Sequence, residues 1–357
     1  VVVDPPGPMT EAPARPPARR DLRAGVAGLF PGSFALVMAT GIVSIAAHLQ
    51  GFPTAARALL WANAAAYGVL VVLLGLRAAW FPRRLLGDLA AHQRAPGFLS
   101  IVAGTNVLGS QVALLTELTG LALALWIAGI AAWAVITYGF LTAVTVRATK
   151  PTLDEGINGA WLLLVVSTES VAVLGATLAG STGVAEGILA VALVAHLVGL
   201  MLYVLVIGLI VYRWTFFALT GEQVTPPYWI NMGALAITAL AGANLLGATG
   251  SWATLERVEP FVAGTTLLAW AFATWWIPLL VAIGVWRHGV QRVPIRYDPQ
   301  YWSLVFPLGM YSVATFRVAA AIDLGLPSLL ATAAFWIAAA AWALTAGGLV
   351  RSARPGP

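Results

Sequence analysis

Apolar stretches of about 20 residues alternate along this chain with short breaks that carry charge or proline, and about 20 residues is what a helix needs to cross a bilayer. The pattern predicts ten spans, at about 30–50, 56–79, 97–115, 119–145, 157–179, 184–213, 228–248, 261–286, 301–321 and 327–350. The odd spans share a device. Each opens on a Pro or Asn followed closely by an aromatic residue: Pro31-Gly32-Ser33-Phe34, Pro96-Gly97-Phe98, Asn158-Gly159-Ala160-Trp161, Pro227-Tyr228-Trp229 and Pro299-Gln300-Tyr301-Trp302. A spacing of roughly 60–75 residues between openings marks a helical-hairpin repeat, present five times.

Polar residues follow the same alternation. The third span holds Ser100, Thr105, Asn106, Ser110 and Gln111; the fifth holds Ser167, Thr168, Glu169, Ser170 and Thr177; the seventh holds Asn231, Thr238 and Asn244. The even spans are mostly Leu, Ala, Val and Ile, with Asn63 and His196 as polar exceptions. Polar groups at membrane depth face protein or water rather than lipid. For any single small polar residue, close helix packing is the commoner explanation. It does not explain the alternation, because even helices must pack too. The expected fold is therefore an all-α polytopic membrane protein. Its ten transmembrane helices form five tandem hairpins, with odd helices in an inner ring around a narrow conduit and even helices in an outer ring.

Composition agrees: the chain is 60% hydrophobic and 9% charged, far from the roughly 25% charge of soluble domains. The basic pI of about 9.9 reflects topology rather than nucleic-acid binding. Of 19 basic residues, 16 fall on one side of the ten-span arrangement, leaving Arg57, Arg257 and Arg317. The positive-inside rule puts that side, and both termini, in the cytoplasm of a cell bounded by an inner (plasma) membrane. Residues 1–25, rich in Pro and Arg, read as a disordered cytoplasmic tail. Residues 26–351 form the ten-helix domain, and 352–357 a short cytoplasmic C-terminal tail.

Little points to catalysis. Cysteine is absent, and the one lysine, Lys150, follows Thr149 outside any phosphate-loop motif. His48, His92, His196 and His288 are scattered, with no metal-ligand spacing; His196 reads as a hydrogen-bonded residue between helices. No metal, cofactor or nucleic-acid partner is expected.

Three segments carry a family resemblance: FALVMATGIVS at Phe34–Ser44, LTGEQVTPPYWINMGALAITALAG ending at Gly242, and WSLVFPLGMYSVAT at Trp302–Thr315. They resemble the tellurite-resistance/dicarboxylate transporter family, which includes plant slow anion channels and fungal malate transporters, and in particular its bacterial branch. The resemblance spans roughly residues 25–350. It implies a homotrimer with one pore per subunit, anions as cargo, no organic cofactor, and a phenylalanine plugging the pore. Phe306, followed by Pro307, matches that phenylalanine.

Residue chemistry is compatible with this. A Phe at a constriction gates by bulk and dewetting, and Pro307 removes a backbone donor and favours a kink. Ser33, Ser100, Asn231 and Ser303 lie near the cytoplasmic starts of odd helices, where the helix dipole is positive. Thr40 and Asn106 offer further pore-lining groups. Arg317 reads as an anion-attracting residue of the outer vestibule, as a side chain that snorkels to the outer interface, or as a partner of Asp323. Glu169, near mid-bilayer, has three readings: turned from the pore into a helix contact, paired with Arg317, or protonated and coupling proton uptake to anion movement. The leading expectation is transport of small anions, such as four-carbon dicarboxylates, chloride, nitrate or sulfite. Tellurite resistance would be a side effect of that transport. Alternatives are a proton-coupled dicarboxylate carrier using Glu169 on the same fold, a membrane-embedded enzyme or sensor, and a scaffold subunit.

Overall fold

Proline lacks an N–H and fixes φ, so it suits the first turn of a helix, where backbone donors have no partner inside the helix. Asn and Asp serve the same place by accepting from a backbone N–H. The recurring openings use both devices. In a computed structural model that describes residues 22–181, 184–323, 325 and 328–353, tight 3₁₀ turns at Ala95–Phe98, Gly159–Leu162, Pro226–Trp229 and Pro299–Tyr301 lead into odd helices. Asn158 Oδ1 accepts from Ala160 N at 2.9 Å, and Asp298 Oδ1 from Gln300 N at 2.8 Å.

Ten long helices follow: α1 (Ala35–Leu49), α2 (Pro53–Trp80), α3 (Leu99–Leu115), α4 (Thr119–Thr145), α5 (Leu163–Ala179), α6 (Ala185–Phe216), α7 (Ile230–Leu246), α8 (Ala253–Val285), α9 (Trp302–Ile322) and α10 (Ser328–Ala353). Among the described residues there is no strand. Nine of these helices, counted with their lead-in turns, are long and apolar enough to cross a membrane; α1, at 15 residues, is shorter. Its expected span of 30–50 is completed by the turn at residues 31–34.

The odd helices close a ring. α1 packs on α3, α3 on α5, α5 on α7, α7 on α9, and α9 back on α1. Each even helix packs outside the odd helix before it in the chain. Burial follows: 61–94% of the apolar stretch is buried in α3, α5, α7 and α9, against 11–33% in the even helices, so the even helices meet the lipid. Val69, Val135, Leu205, Leu268 and Leu344, one from each even helix, are exposed.

The lead-in turns pack against one another at one end of the ring, made possible by glycine. A Cβ on Gly97 would lie 2.9 Å from Gly32 N, and one on Gly159 would lie 2.5 Å from the Pro227 carbonyl oxygen. This is the end where the arginine-rich connections lie, called the basic end below.

Three boundaries differ from expectation. α8 begins at Ala253, not near 261, because the helix continues as a polar extension through Glu256, Arg257, Glu259 and Pro260. Leu22–Ala27 forms a short helix packed on α2, so the expected tail of 1–25 is helical at its last residues; its remainder, 1–21, lies outside the described residues. Of the expected C-terminal tail, 352–353 belong to α10 and 354–357 lie outside the described residues. At the basic end a further short helix, Pro82–Leu89, is held by Asp88, which pairs with Arg77 at 2.5 Å and Arg94 at 2.8 Å.

Candidate functional site

Two cavities lie at opposite ends of the inner ring. The one at the basic end, about 390 Å³, is lined by all five openings, through Gly32, Gly97, Asn158, Pro227 and Gln300, by Ser303, and by two arginines and two acids, Arg94, Arg213, Asp154 and Glu155. The N-terminal ends of the odd helices thus converge on one space and turn their partial positive charge toward it. The opposite cavity, about 470 Å³, is lined by the far ends of all five odd helices, including Ile45, Ser110, Thr177, Asn244, Val313 and Arg317.

Helix periodicity connects the two. On α9, Ser303, Phe306, Met310, Val313 and Arg317 follow one another at steps of three and four and so share a face. Ser303 lines the basic-end cavity; Val313 and Arg317 line the other. Phe306 and Met310, between them, are each 1% exposed. The same logic holds on α5, where Leu163 lines one cavity, Val173 and Thr177 the other, and Val166 and Ser170 lie buried between. On α1 the intermediate pair is Met38 and Ile42. Ser303 and Val313 are ten residues apart, so the buried, largely apolar stretch between the cavities, called the neck below, is about 15 Å long. Pro307 cannot donate to the carbonyl of Ser303, four residues earlier, so that carbonyl lacks its usual helical donor.

The expected site residues divide. Ser303 and Arg317 line the cavities, and Phe306 lies on the face between them. Others are elsewhere. Ser33 Oγ donates to the Phe30 carbonyl at 2.6 Å and Ser100 Oγ to the Gly97 carbonyl at 2.7 Å, so both tie down lead-in turns rather than lining the conduit. A hydroxyl in an apolar helix readily satisfies itself on a backbone carbonyl three or four residues back. Thr40 also departs from the pore-lining expectation: its Oγ1 accepts from Trp342 Nε1 at 3.0 Å, on the side facing α10. Asn106 Nδ2 donates to Ser170 Oγ at 3.0 Å, one bond behind the neck. Asn231 is fully buried; its carbonyl accepts from Tyr203 Oη, and neither amide atom has a partner among the described residues.

Glu169 faces away from both cavities. Its carboxylate lies 3.0 Å from His196 Nδ1 of α6, both side chains are 0% exposed, and Gly199 leaves the room it occupies. Of its three readings, the helix contact is the one observed. Neither Glu169 nor Asp323 pairs with the half-buried Arg317 among the described residues. His196 is the interhelix residue its position suggested.

Arg213 is the residue that sequence reasoning used only to count topology. Its guanidinium is 4% exposed, lines the basic-end cavity, and donates from Nε to the Asp154 carbonyl and from Nη1 to Tyr228 Oη. The available signal was its place inside α6, before the last apolar residues rather than after them. Around this mouth, burial pushes the Asp88 carboxyl up, but hydrogen bonds from Arg94 and Arg77 outweigh it and hold it below the usual value. Burial, with Arg147 and Lys150 nearby, holds the His92 imidazole below its usual value. No cluster of three or more His, Cys, Asp or Glu able to hold a metal occurs among the described residues.

The model of the voltage-dependent anion channel family matches residues 29–350. The chain belongs to that family. Membership places it among proteins that carry anions across membranes, not among enzymes. An uncharacterized transporter of Methanocaldococcus jannaschii is 22% identical over 322 residues, covering 87% of this chain and 91% of that protein. A second such transporter from the same organism is also 22% identical, over 88% of this chain. An uncharacterized membrane protein of Mycobacterium tuberculosis is 42% identical over 146 residues, which are 41% of this chain and 74% of that protein. For a member of an anion channel family, ten helices in two concentric rings and arginines at both mouths form a coherent arrangement.

Proposed function

We propose that the chain is a passive conduit for small anions, shut at its neck by Phe306 and opened when that ring moves aside. The observation that carries this is the shared face of α9, on which Phe306 stands between Ser303 in one cavity and Arg317 in the other. Arg213 would attract anions at the basic end, where Asp154 and Glu155 share the lining and Arg94 is paired with Asp88, and Arg317 would do so at the opposite end. By the positive-inside rule the basic end is cytoplasmic, the termini with it, in an inner membrane. Homotrimeric assembly, with one conduit per subunit, follows from the resemblance to the transporter family. Four-carbon dicarboxylates such as malate, and chloride, nitrate or sulfite, are the cargo to try; tellurite resistance would follow only indirectly.

A proton-coupled carrier using Glu169 fits less well, because a coupling carboxylate should reach the cargo path and this one is turned to α6. An enzyme or sensor would need a cluster of reactive groups at one mouth. The test is anion current through the purified protein in planar bilayers, wild type against Phe306→Ala, with chloride, nitrate and malate.

A further inference from the structure

One buried ionisable pair lines neither cavity. Glu169 Oε2 and His196 Nδ1 are 3.0 Å apart at 0% exposure, and His196 Nε2 has no hydrogen-bond partner among the described residues. The site is sealed: a Cβ on Gly199 would lie 2.4 Å from Glu169 Oε1, and Thr238 of α7 stands beside the same carboxylate.

The surroundings isolate the pair. α3, α4 and α7, which pack on α5, contain no Asp, Glu, Lys, Arg or His. Asn106 of α3 bonds Ser170, and Trp133 of α4 bonds Thr168. Tyr138 of α4 is exposed on the outer surface. On α6, Tyr203 lies two turns on, engaged with Trp276 and the Asn231 carbonyl, while Glu186 and Arg213 sit near the helix ends.

In so apolar a sector a net charge is costly, and two coupled groups titrate as a unit. The pair has three forms. With two protons it is cationic, with none it is anionic, and with one shared proton it is neutral. Only the one-proton form carries no net charge. Only α5 separates the pair from the neck, and Ser170, the next residue, lies on the neck face of that helix.

We propose that Glu169 and His196 form an intramembrane proton site, neutral with one shared proton, whose loss of that proton closes the conduit to anions. Deprotonation leaves a bare carboxylate one helix behind the neck, where it repels anions and weakens the α5–α6 contact. The flux part of this proposal rests on the anion-conduit reading; the proton site itself does not.

The sign for stability follows. A folded pair that keeps its shared proton where the unfolded chain has lost both loses stability as pH rises. The experiment measures anion flux into vesicles and the thermal midpoint of the purified protein from about pH 6 to 9. It compares wild type with Glu169→Gln, and with His196→Gln in case the first variant fails to fold. Wild-type flux should fall fivefold or more as pH rises, the low end of ordinary coupling between linked sites. The midpoint should fall with it. Glu169→Gln should flatten both profiles, and His196→Gln should move the fall to a different pH. Unchanged profiles in both variants would overturn the site, and a pH-dependent midpoint with pH-independent flux would overturn its control of the conduit. Absence of flux in every protein at every pH would sink the conduit reading, and the midpoints would still decide whether the proton site exists.

Discussion

The ring of Pro307 in α9 lies against Gly233 of α7, so close that a Cβ on residue 233 would sit 2.7 Å from Pro307 Cγ. This contact fixes the inner helices next to the residue proposed as the gate. Interiors packed this tightly resist extra volume at a cost of typically 1–3 kcal/mol. Gly233→Ala should therefore lower thermal stability by about that much. Pro307→Ala in the same chain should recover part of the loss, a coupling that a double-mutant cycle reads directly. Simple additivity would mean that the two residues do not bear on each other.

Charge at the two mouths should act by steering. Arg317→Gln should reduce anion flux by about tenfold at low ionic strength, with the difference shrinking as salt screens the field. Arg213→Lys keeps the charge at the other mouth and should preserve flux, whereas Arg213→Gln should lower it. A salt-independent loss would show that these residues act through structure alone.

Thr40 and Ser303 separate packing from lining. Thr40→Val removes the acceptor for the indole of Trp342 and should cost about 1 kcal/mol of stability without altering anion preference. Ser303→Ala should do the reverse, leaving the melting midpoint in place and changing conductance. Ion-substitution currents and thermal unfolding of the two variants distinguish the roles.

Asp88 gives a pH prediction outside the membrane. Its folded carboxyl titrates below the usual 3.8, since the bonds from Arg94 and Arg77 outweigh burial. A lowered carboxyl contributes stability that is present above the unfolded value and is lost as pH falls through the folded one. Asp88→Asn should flatten that acid loss. At neutral pH it should destabilise by roughly 2–3 kcal/mol, because it strands the buried guanidinium of Arg77. Thermal midpoints between about pH 3 and 7 check both statements.

Much of the architecture was legible because lipid imposes simple rules on sequence. Leu, Ala, Val and Ile on even helices against Ser, Thr and Asn on odd ones encoded the two rings, and the Pro or Asn openings encoded the turns at the basic end. Individual roles were less legible. Ser33, Ser100 and Thr40 have the same chemistry as a lining hydroxyl, and only the third dimension reveals that backbone or an indole already occupies them. Arg213 looked like one more topological arginine, because the cavity it lines is assembled from distant openings. Glu169 was visible as an anomaly, but its partner on α6 is 27 residues away and no local pattern joins them.

The central claim is that Phe306 shuts a continuous anion path. Recordings from planar bilayers, wild type beside Phe306→Ala, test it most directly. Wild-type current should be small or absent and the variant's large and anion-selective, since the remaining neck residues are smaller or more flexible. Silence in both proteins, alongside wild-type anion uptake into vesicles, would contradict a phenylalanine-gated conduit.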